Sequence, residues 1–176
     1  EFSAIGSRTN LSTDSGIAAD YYQHPVVKDG YGIWINQGIN QQGSYTLYNI
    51  ASQTYTRIAP PASVNYVGNW QYDFAVVGGV VDFWYWGQTG GAGTSSTFDV
   101  FNWRSDTGNT TRITSDGVRN VYTQVDNTRV AWEQSPVGGS SDNTFTLLSR
   151  SGQDSPTQTL GTNVRNFRVD DGVVAW

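Results

Sequence analysis

The sequence contains no cysteine and no methionine, and it has a single histidine in 176 residues. Without cysteine there can be no disulfide, no thiol nucleophile and no thiolate metal ligand. Because His24 is the sole histidine, a zinc site built on several imidazoles is excluded as well. No familiar catalytic motif is present. We therefore assign no catalytic residue and expect neither a metal nor a cofactor.

Charge is also scarce, since Lys and Arg number 10 against 15 Asp and Glu, for a net charge of −5. Nucleic acid binding calls for basic stripes, so we expect no nucleic acid partner. The sequence has no run of about 20 apolar residues, which predicts the absence of a membrane span.

Glycine and aromatic residues, by contrast, are plentiful: there are 20 glycines, 7 tryptophans and 10 tyrosines. Glycine, together with Asn and Ser, marks turns, whereas aromatic and β-branched residues favour strands. No stretch of 11 or more residues has helical periodicity free of Gly or Pro. This composition predicts an all-β chain.

The chain also contains an internal repeat. Four stretches share a valine, a tight turn and an aromatic residue seven positions after the valine: VKDGYGIW (27–34), VVGGVVDF (76–83), VDNTRVAW (125–132) and VDDGVVAW (169–176). They begin 49, 49 and 44 residues apart. Further predicted strands flank each stretch, so each unit holds four short strands in a meander. That pattern is typical of a β-propeller blade.

The repeat predicts about three full four-stranded blades with partial blades at both ends. The full blades cover residues 17–58, 64–113 and 118–160, the partial fourth blade covers 164–176, and residues 3–16 supply the outer strand of a preceding blade. Because a closed ring usually needs at least four blades, we expect one β-propeller domain that is a segment of a larger ring. Such a segment would self-associate or bind another chain that supplies the missing blades.

The aromatic stretch DFWYW (82–86) lies in the second strand of its predicted blade. The alignment of the repeats predicts that Phe83, Trp34, Trp132 and Trp176 are buried between blades. Trp86, at the end of the strand beside a glycine-rich loop, could be either core or ligand surface.

The pattern also resembles the TolB-like propeller repeats of bacterial secreted and periplasmic proteins. The segments NVYTQVDNTRVAW and SDTGNTTRITSDG carry the resemblance best. It implies an interaction platform located outside the cytoplasm, either extracellular or periplasmic, and it implies no single reaction.

Ligand-binding candidates are the aromatic residues near the loops, together with the histidine: Tyr21, Tyr22, His24, Tyr66, Trp70, Trp86 and Tyr122. Flat amphipathic rings suit sugar stacking or protein contacts. The pair Arg-Asn also recurs at 119–120 and 165–166, which we interpret as a structural link between blades.

Two functions remain open at this stage. The first is a non-enzymatic interaction module that binds a protein partner or assembles with itself. The alternative is the carbohydrate-binding or catalytic propeller of a carbohydrate-active protein, a glycosidase or lyase, with the aromatic loops holding a glycan.

Overall fold

The computed structural model describes residues 21–37, 43–68, 72–91, 96–135 and 145–176. These residues form fifteen strands and no helix, which confirms the all-β prediction. The chain divides into two compact units, Glu1–Ala59 and Pro60–Trp176. No helix long and apolar enough to cross a membrane occurs in the part of the chain that is described.

The first unit holds one antiparallel meander of four strands in the order β1-β2-β3-β4. The strands are β1 (Tyr21–Lys28), β2 (Tyr31–Gln37), β3 (Ser44–Asn49) and β4 (Thr54–Ile58). We call each such four-stranded meander a blade. The predicted outer strand at 3–16 lies outside the described residues.

The second unit contains two further blades and the beginning of a fourth. The second blade comprises β6 (Asp73–Val77), β7 (Val80–Gly90), β8 (Thr97–Arg104) and β9 (Thr110–Arg112). The third comprises β10 (Arg119–Val125), β11 (Val130–Ser135), β12 (Phe145–Arg150) and β13 (Gln158–Val164). The hairpin of β14 (Arg168–Asp170) and β15 (Val173–Ala175) starts the fourth. We call it the fourth-blade hairpin.

One short strand was not expected from the repeat. Strand β5 (Tyr66–Val67) precedes the second blade and pairs antiparallel with the far end of β7, where Tyr66 lies opposite Gln88. The second and third blades also join through a single parallel pair, Arg119 with Phe98, so their eight strands and β5 form one nine-stranded sheet.

The tight turns explain why the first two strands of most blades form hairpins. Both central residues have positive φ in Asp29-Gly30, Gly78-Gly79 and Asp171-Gly172, as the favoured two-residue hairpin turn requires. The third blade differs, because the side chain of Asp126 accepts hydrogen bonds from the backbone N–H groups of Thr128 and Arg129, both at 2.8 Å. A side-chain cap therefore replaces the positive-φ turn there.

The second strands carry the cores of the blades. Trp34 is 6% exposed in β2, and Phe83 and Trp132 are fully buried in β7 and β11. The stretch DFWYW is therefore core. The prediction for Trp176 was wrong, since 59% of this residue is exposed. Its indole lies against Gly161 of β13.

Candidate functional site

A cleft of about 770 Å³ opens in the second unit between the end of the third blade and the fourth-blade hairpin. We call it the blade-three cleft. Its lining consists of four aromatic residues, three arginines, one carboxylate and two amides: Trp86, Tyr122, Phe145, Phe167, Arg119, Arg165, Arg168, Glu133, Gln124 and Asn166. A cavity of this size is in the range that holds small-molecule ligands.

A bulge in β10 places Tyr122 in this cleft. The pairing of β10 with β11 shifts register between Val121 and Gln124, so Tyr122 stands outside the regular ladder. Its backbone has a φ of 62°, a conformation that few residues other than glycine adopt. The bulge thereby turns the phenol ring out of the strand and toward the neighbouring aromatic side chains.

The aromatic lining is a connected row of rings. The ring centroid of Tyr122 lies 6.2 Å from that of Trp86 and 6.1 Å from that of Phe145, with edge-to-face orientations in both pairs. Trp86 in turn makes an edge-to-face contact with Phe98 at 5.3 Å. Such pairs stabilise one another beyond their buried area. Tyr122 and Phe145 are half-buried and remain accessible, whereas Trp86 is only 7% exposed.

Trp86 is held by a glycine on the loop that follows β5. The backbone N–H of Gly68 donates to the carbonyl oxygen of Trp86 at 2.8 Å. A Cβ atom at position 68 would lie 2.2 Å from the indole Cε2 atom, so the loop can approach the ring only because residue 68 is glycine. This contact fixes the indole at the wall of the cleft.

The guanidinium of Arg119 lies over the ring of Phe98, with its Cζ atom 5.5 Å from the ring centroid. Such a cation–π contact orients the group without neutralising its charge. Its Nε atom is buried and has no hydrogen-bond acceptor. Within the described residues, no carboxylate lies within 4.0 Å of Arg119 or Arg168. Arg165 and Arg168 are exposed at the rim of the cleft.

Glu133 is the one carboxylate in the lining, and it is only 3% exposed. Burial raises the pKa of its carboxyl group, and a hydrogen bond from the backbone N–H of Asn166 acts in the opposite direction. Glu133 therefore ties the third blade to the segment that leads into β14.

Further hydrogen bonds hold the fourth-blade hairpin against the third blade. The side chain of Gln124 donates to the carbonyl oxygen of Phe167 at 2.9 Å and accepts from the backbone N–H of Val169 at 3.3 Å. Asp126 accepts from the backbone N–H of Gly172. Phe167 itself packs in a buried cluster with Ala131 and Leu147. The wall of the cleft formed by residues 165–168 is thus anchored at both ends.

The structure brings two of the seven predicted site residues together, namely Trp86 and Tyr122. Tyr66 lies in β5, half-buried, and is not part of the cleft lining. Tyr21, Tyr22 and His24 belong to β1 of the first unit, and their side chains are not described. Trp70 lies outside the described residues.

Sequence reasoning missed the three arginines and Glu133, although one signal pointed to two of the arginines. Asn120 does form a link between blades, because its side chain donates to the carbonyl oxygen of Phe98 at 3.3 Å and accepts from the indole of Trp132 at 3.1 Å. The arginines that precede the repeated asparagines, Arg119 and Arg165, instead line the same cleft. Their equal position in two successive repeats was the available signal.

No group of three or more His, Cys, Asp or Glu side chains that could hold a metal ion occurs in the described ranges. The cleft supplies one carboxylate only, and it is already hydrogen-bonded to the backbone. What the cleft offers is hydrogen bonding, aromatic contact and positive charge.

The sequence matches no protein-family model and no curated protein sequence. The fold is similar to that of a sialidase from Trypanosoma rangeli, solved in complex with 2,3-difluorosialic acid as a covalent intermediate. The TM-score is 0.53 at 9% identity, over 89% of this chain and 34% of the sialidase. This likeness confirms a propeller-type fold. A puromycin-hydrolyzing peptidase of Mycobacterium tuberculosis also matches, with a TM-score of 0.44 at 9% identity over 84% of this chain and 30% of the peptidase. The chain spans about a third of the length of both proteins.

Proposed function

We propose that this chain is a carbohydrate-binding propeller segment and that the blade-three cleft is its glycan site. The observation that carries the proposal is the row of rings at the mouth of the cleft. Tyr122 and Phe145 present accessible aromatic surface beside polar groups that converge on one cavity. Concave sites that combine aromatic surface with a few oriented polar groups are typical of small-ligand binding.

The size and shape of the cleft favour a sugar over a protein as its occupant. Stable protein interfaces bury roughly 1,600 Å² in total and are broad. A cavity of about 770 Å³ suits a short oligosaccharide instead. The sialidase with which this chain shares its fold was solved with a sugar derivative bound, so a fold of this type can hold such a ligand.

The lining supports binding rather than hydrolysis. Most glycosidases need two carboxyl groups that flank the scissile bond, roughly 5 to 10 Å apart. Glu133 is the single carboxylate among the lining residues. Sialidases, which use a tyrosine nucleophile, are an exception to this rule. We infer that the cleft holds a glycan without cleaving it, and the release of reducing ends tests this point directly.

A glycan array probed with the purified chain tests this proposal. We expect at least one glycan class to bind, and we expect binding to be lost in Tyr122→Asn. Asparagine tolerates the positive φ at position 122, so this variant removes the ring without straining the bulge. The control is Tyr48→Ala, which removes one ring of the Tyr48–Tyr55 pair in the first unit.

The outcomes separate clearly. If no glycan binds, or if both variants bind as the wild type does, the proposal fails. If a bound glycan is shortened, seen as release of reducing ends, the chain is an enzyme and the non-catalytic assignment is wrong. Circular dichroism of each variant distinguishes loss of binding from loss of the fold.

A second candidate function, association with another chain, is favoured by the fourth-blade hairpin. Val173 is 64% exposed and Trp176 is 59% exposed. Within the described part of the chain, β15 pairs only with β14 and leaves its other edge open. Open edges with apolar side chains invite pairing with a further strand. A TolB-like, extracytoplasmic origin, which would suit such a platform, stays a prediction from the sequence.

Light scattering during size-exclusion chromatography tests this candidate. We expect a mass above the 19.3 kDa of one chain, falling to that value in Val173→Lys. A single peak at 19.3 kDa at every concentration of the wild-type protein would remove the candidate.

A further inference from the structure

The blade-three cleft carries a positive charge that the rest of the chain does not share. Three arginines line it against one glutamate, whereas the whole chain has a net charge of −5. A cleft with one sign of charge concentrates ligands of the opposite sign. In an acidic protein, this local reversal favours an anionic ligand.

The glutamate does not neutralise Arg119 or Arg168. Glu133 is buried and accepts a hydrogen bond from the backbone of Asn166, and among the described residues no ion pair joins it to either arginine. Its role is to hold the wall in place. The charges of Arg119 and Arg168 therefore stay available to a ligand.

Arg119 is the arginine best prepared for an anion. Its guanidinium is oriented by the ring of Phe98, and it has no carboxylate partner in the described ranges. The planar guanidinium fork matches the two oxygens of a carboxylate. Arg168, exposed at the rim, offers a second cationic group.

We propose that the ligand of the blade-three cleft is an acidic glycan, and that Arg119 binds a sugar carboxylate while the half-buried rings of Tyr122 and Phe145 contact the sugar faces. This inference rests on the proposed glycan-binding function and specifies its ligand class. Uronic acids and other carboxylated sugars meet the description. Sulfated sugars share the negative charge but not the planar pair of oxygens.

Isothermal titration calorimetry with matched ligands tests the proposal. The ligands are trisaccharides of galacturonate, glucuronate and mannuronate, the methyl esters of the same three trisaccharides, and a sulfated trisaccharide. Esterification removes the charge while it leaves the sugar rings unchanged. We expect at least one uronate to bind roughly 10- to 100-fold more tightly than its ester, as one charge-assisted hydrogen-bonded pair implies. We also expect affinity to fall as salt is added.

Two variants assign the effect to a residue. Arg119→Gln should lose most of the preference for the acid over the ester and should keep its weak affinity for the ester. The control is Arg129→Gln, which removes the same charge just before the start of β11, where the guanidinium of Arg129 donates to the hydroxyl of Ser149 at 3.4 Å. This control should keep the wild-type preference.

Each result decides between the two proposals. If acids and esters bind equally, or if the sulfated sugar binds as tightly as the uronates, the carboxylate inference is wrong and the glycan-binding function stands. If neither acids nor esters bind while the array shows another glycan bound, the acidic-glycan inference alone is wrong. If the array also shows no glycan bound, both proposals fail. If Arg119→Gln keeps the full preference for the acid, Arg119 is not the group that binds it.

Discussion

Replacement of Trp132 by alanine should destabilise the second unit more than replacement of Trp176, the equivalent residue in the next repeat. The indole is fully buried in a cluster with Trp84 and Val100, and its Nε1 atom donates to Asn120 at 3.1 Å. A buried tryptophan removes roughly 200 Å² from water. At about 25 cal/mol per Å², this corresponds to about 5 kcal/mol. Asn120 keeps its hydrogen bond from Gln134 at 3.2 Å, so little is added by its lost partner. We expect the free energy of unfolding to fall by about 3 to 5 kcal/mol.

The matched control is Trp176→Ala, which changes the residue at the same place in the next repeat. Because Trp176 is 59% exposed, its loss should cost less than about 1 kcal/mol. Urea unfolding followed by tryptophan fluorescence measures both, since six of the seven tryptophans lie in residues 60–176. Trp132→Phe, which keeps an aromatic ring in the core, should fall between the two. Equal losses in the two alanine variants would refute the assignment of Trp132 to the core between blades.

Three further results are expected. Gly68→Ala should lower the free energy of unfolding by about 1 to 3 kcal/mol and shift the fluorescence of Trp86, because the new Cβ would meet the indole at 2.2 Å. The control Gly32→Ala should change stability little, because its Cβ would meet its neighbours at 3.8 Å. A larger loss in Gly32→Ala than in Gly68→Ala would contradict the packing. Burial raises the pKa of Glu133 in the folded chain. The contribution of this carboxyl group to stability is therefore complete below its ordinary pKa of 4.5 and is lost as pH rises through its pKa in the folded state. Glu133→Gln should therefore be as stable as the wild type near pH 4 and more stable than the wild type near pH 7. Urea unfolding at both pH values measures this difference, and the opposite trend would contradict the prediction. Asp126→Ala should speed amide hydrogen exchange in the fourth-blade hairpin roughly tenfold or more, because the hydrogen bond from Gly172 to the Asp126 carboxylate is lost. Unchanged exchange would mean that this carboxylate does not anchor the hairpin.

The strands could be predicted from the sequence because each turn between them depends on two adjacent residues. Asp-Gly and Gly-Gly pairs adopt positive φ, and the valine and aromatic residues around them fill a buried strand. The same logic failed at Trp176, because burial depends on what packs against a residue and not on its place in a repeat. In the third blade the Asp126 cap stands in place of the positive-φ turn, because Asn127 and Thr128 do not adopt positive φ.

The cleft was harder to foresee. Its decisive residue, Tyr122, owes its position to a register shift in β10, and no pattern in the sequence marks where a bulge occurs. Arg119 and Glu133 come from different strands of the third blade, and Arg168 comes from the next hairpin. Their convergence depends on how the third blade packs on the fourth-blade hairpin. Tyr122 was a candidate from the sequence, but of the charged residues in the cleft only those of the repeated Arg-Asn pair left a trace there.

The most direct test of the acidic-glycan site is the response of the arginine side chains themselves. In a ¹H–¹⁵N spectrum of the labelled chain, the Nε–H resonance of Arg119 should move on titration with the tightest-binding uronate trisaccharide, because the carboxylate would bind the guanidinium to which this group belongs. The Nε–H resonance of Arg129 should stay in place, since it lies away from the cleft. Binding of the uronate with no movement at Arg119, or with larger movement at Arg129, would contradict the account.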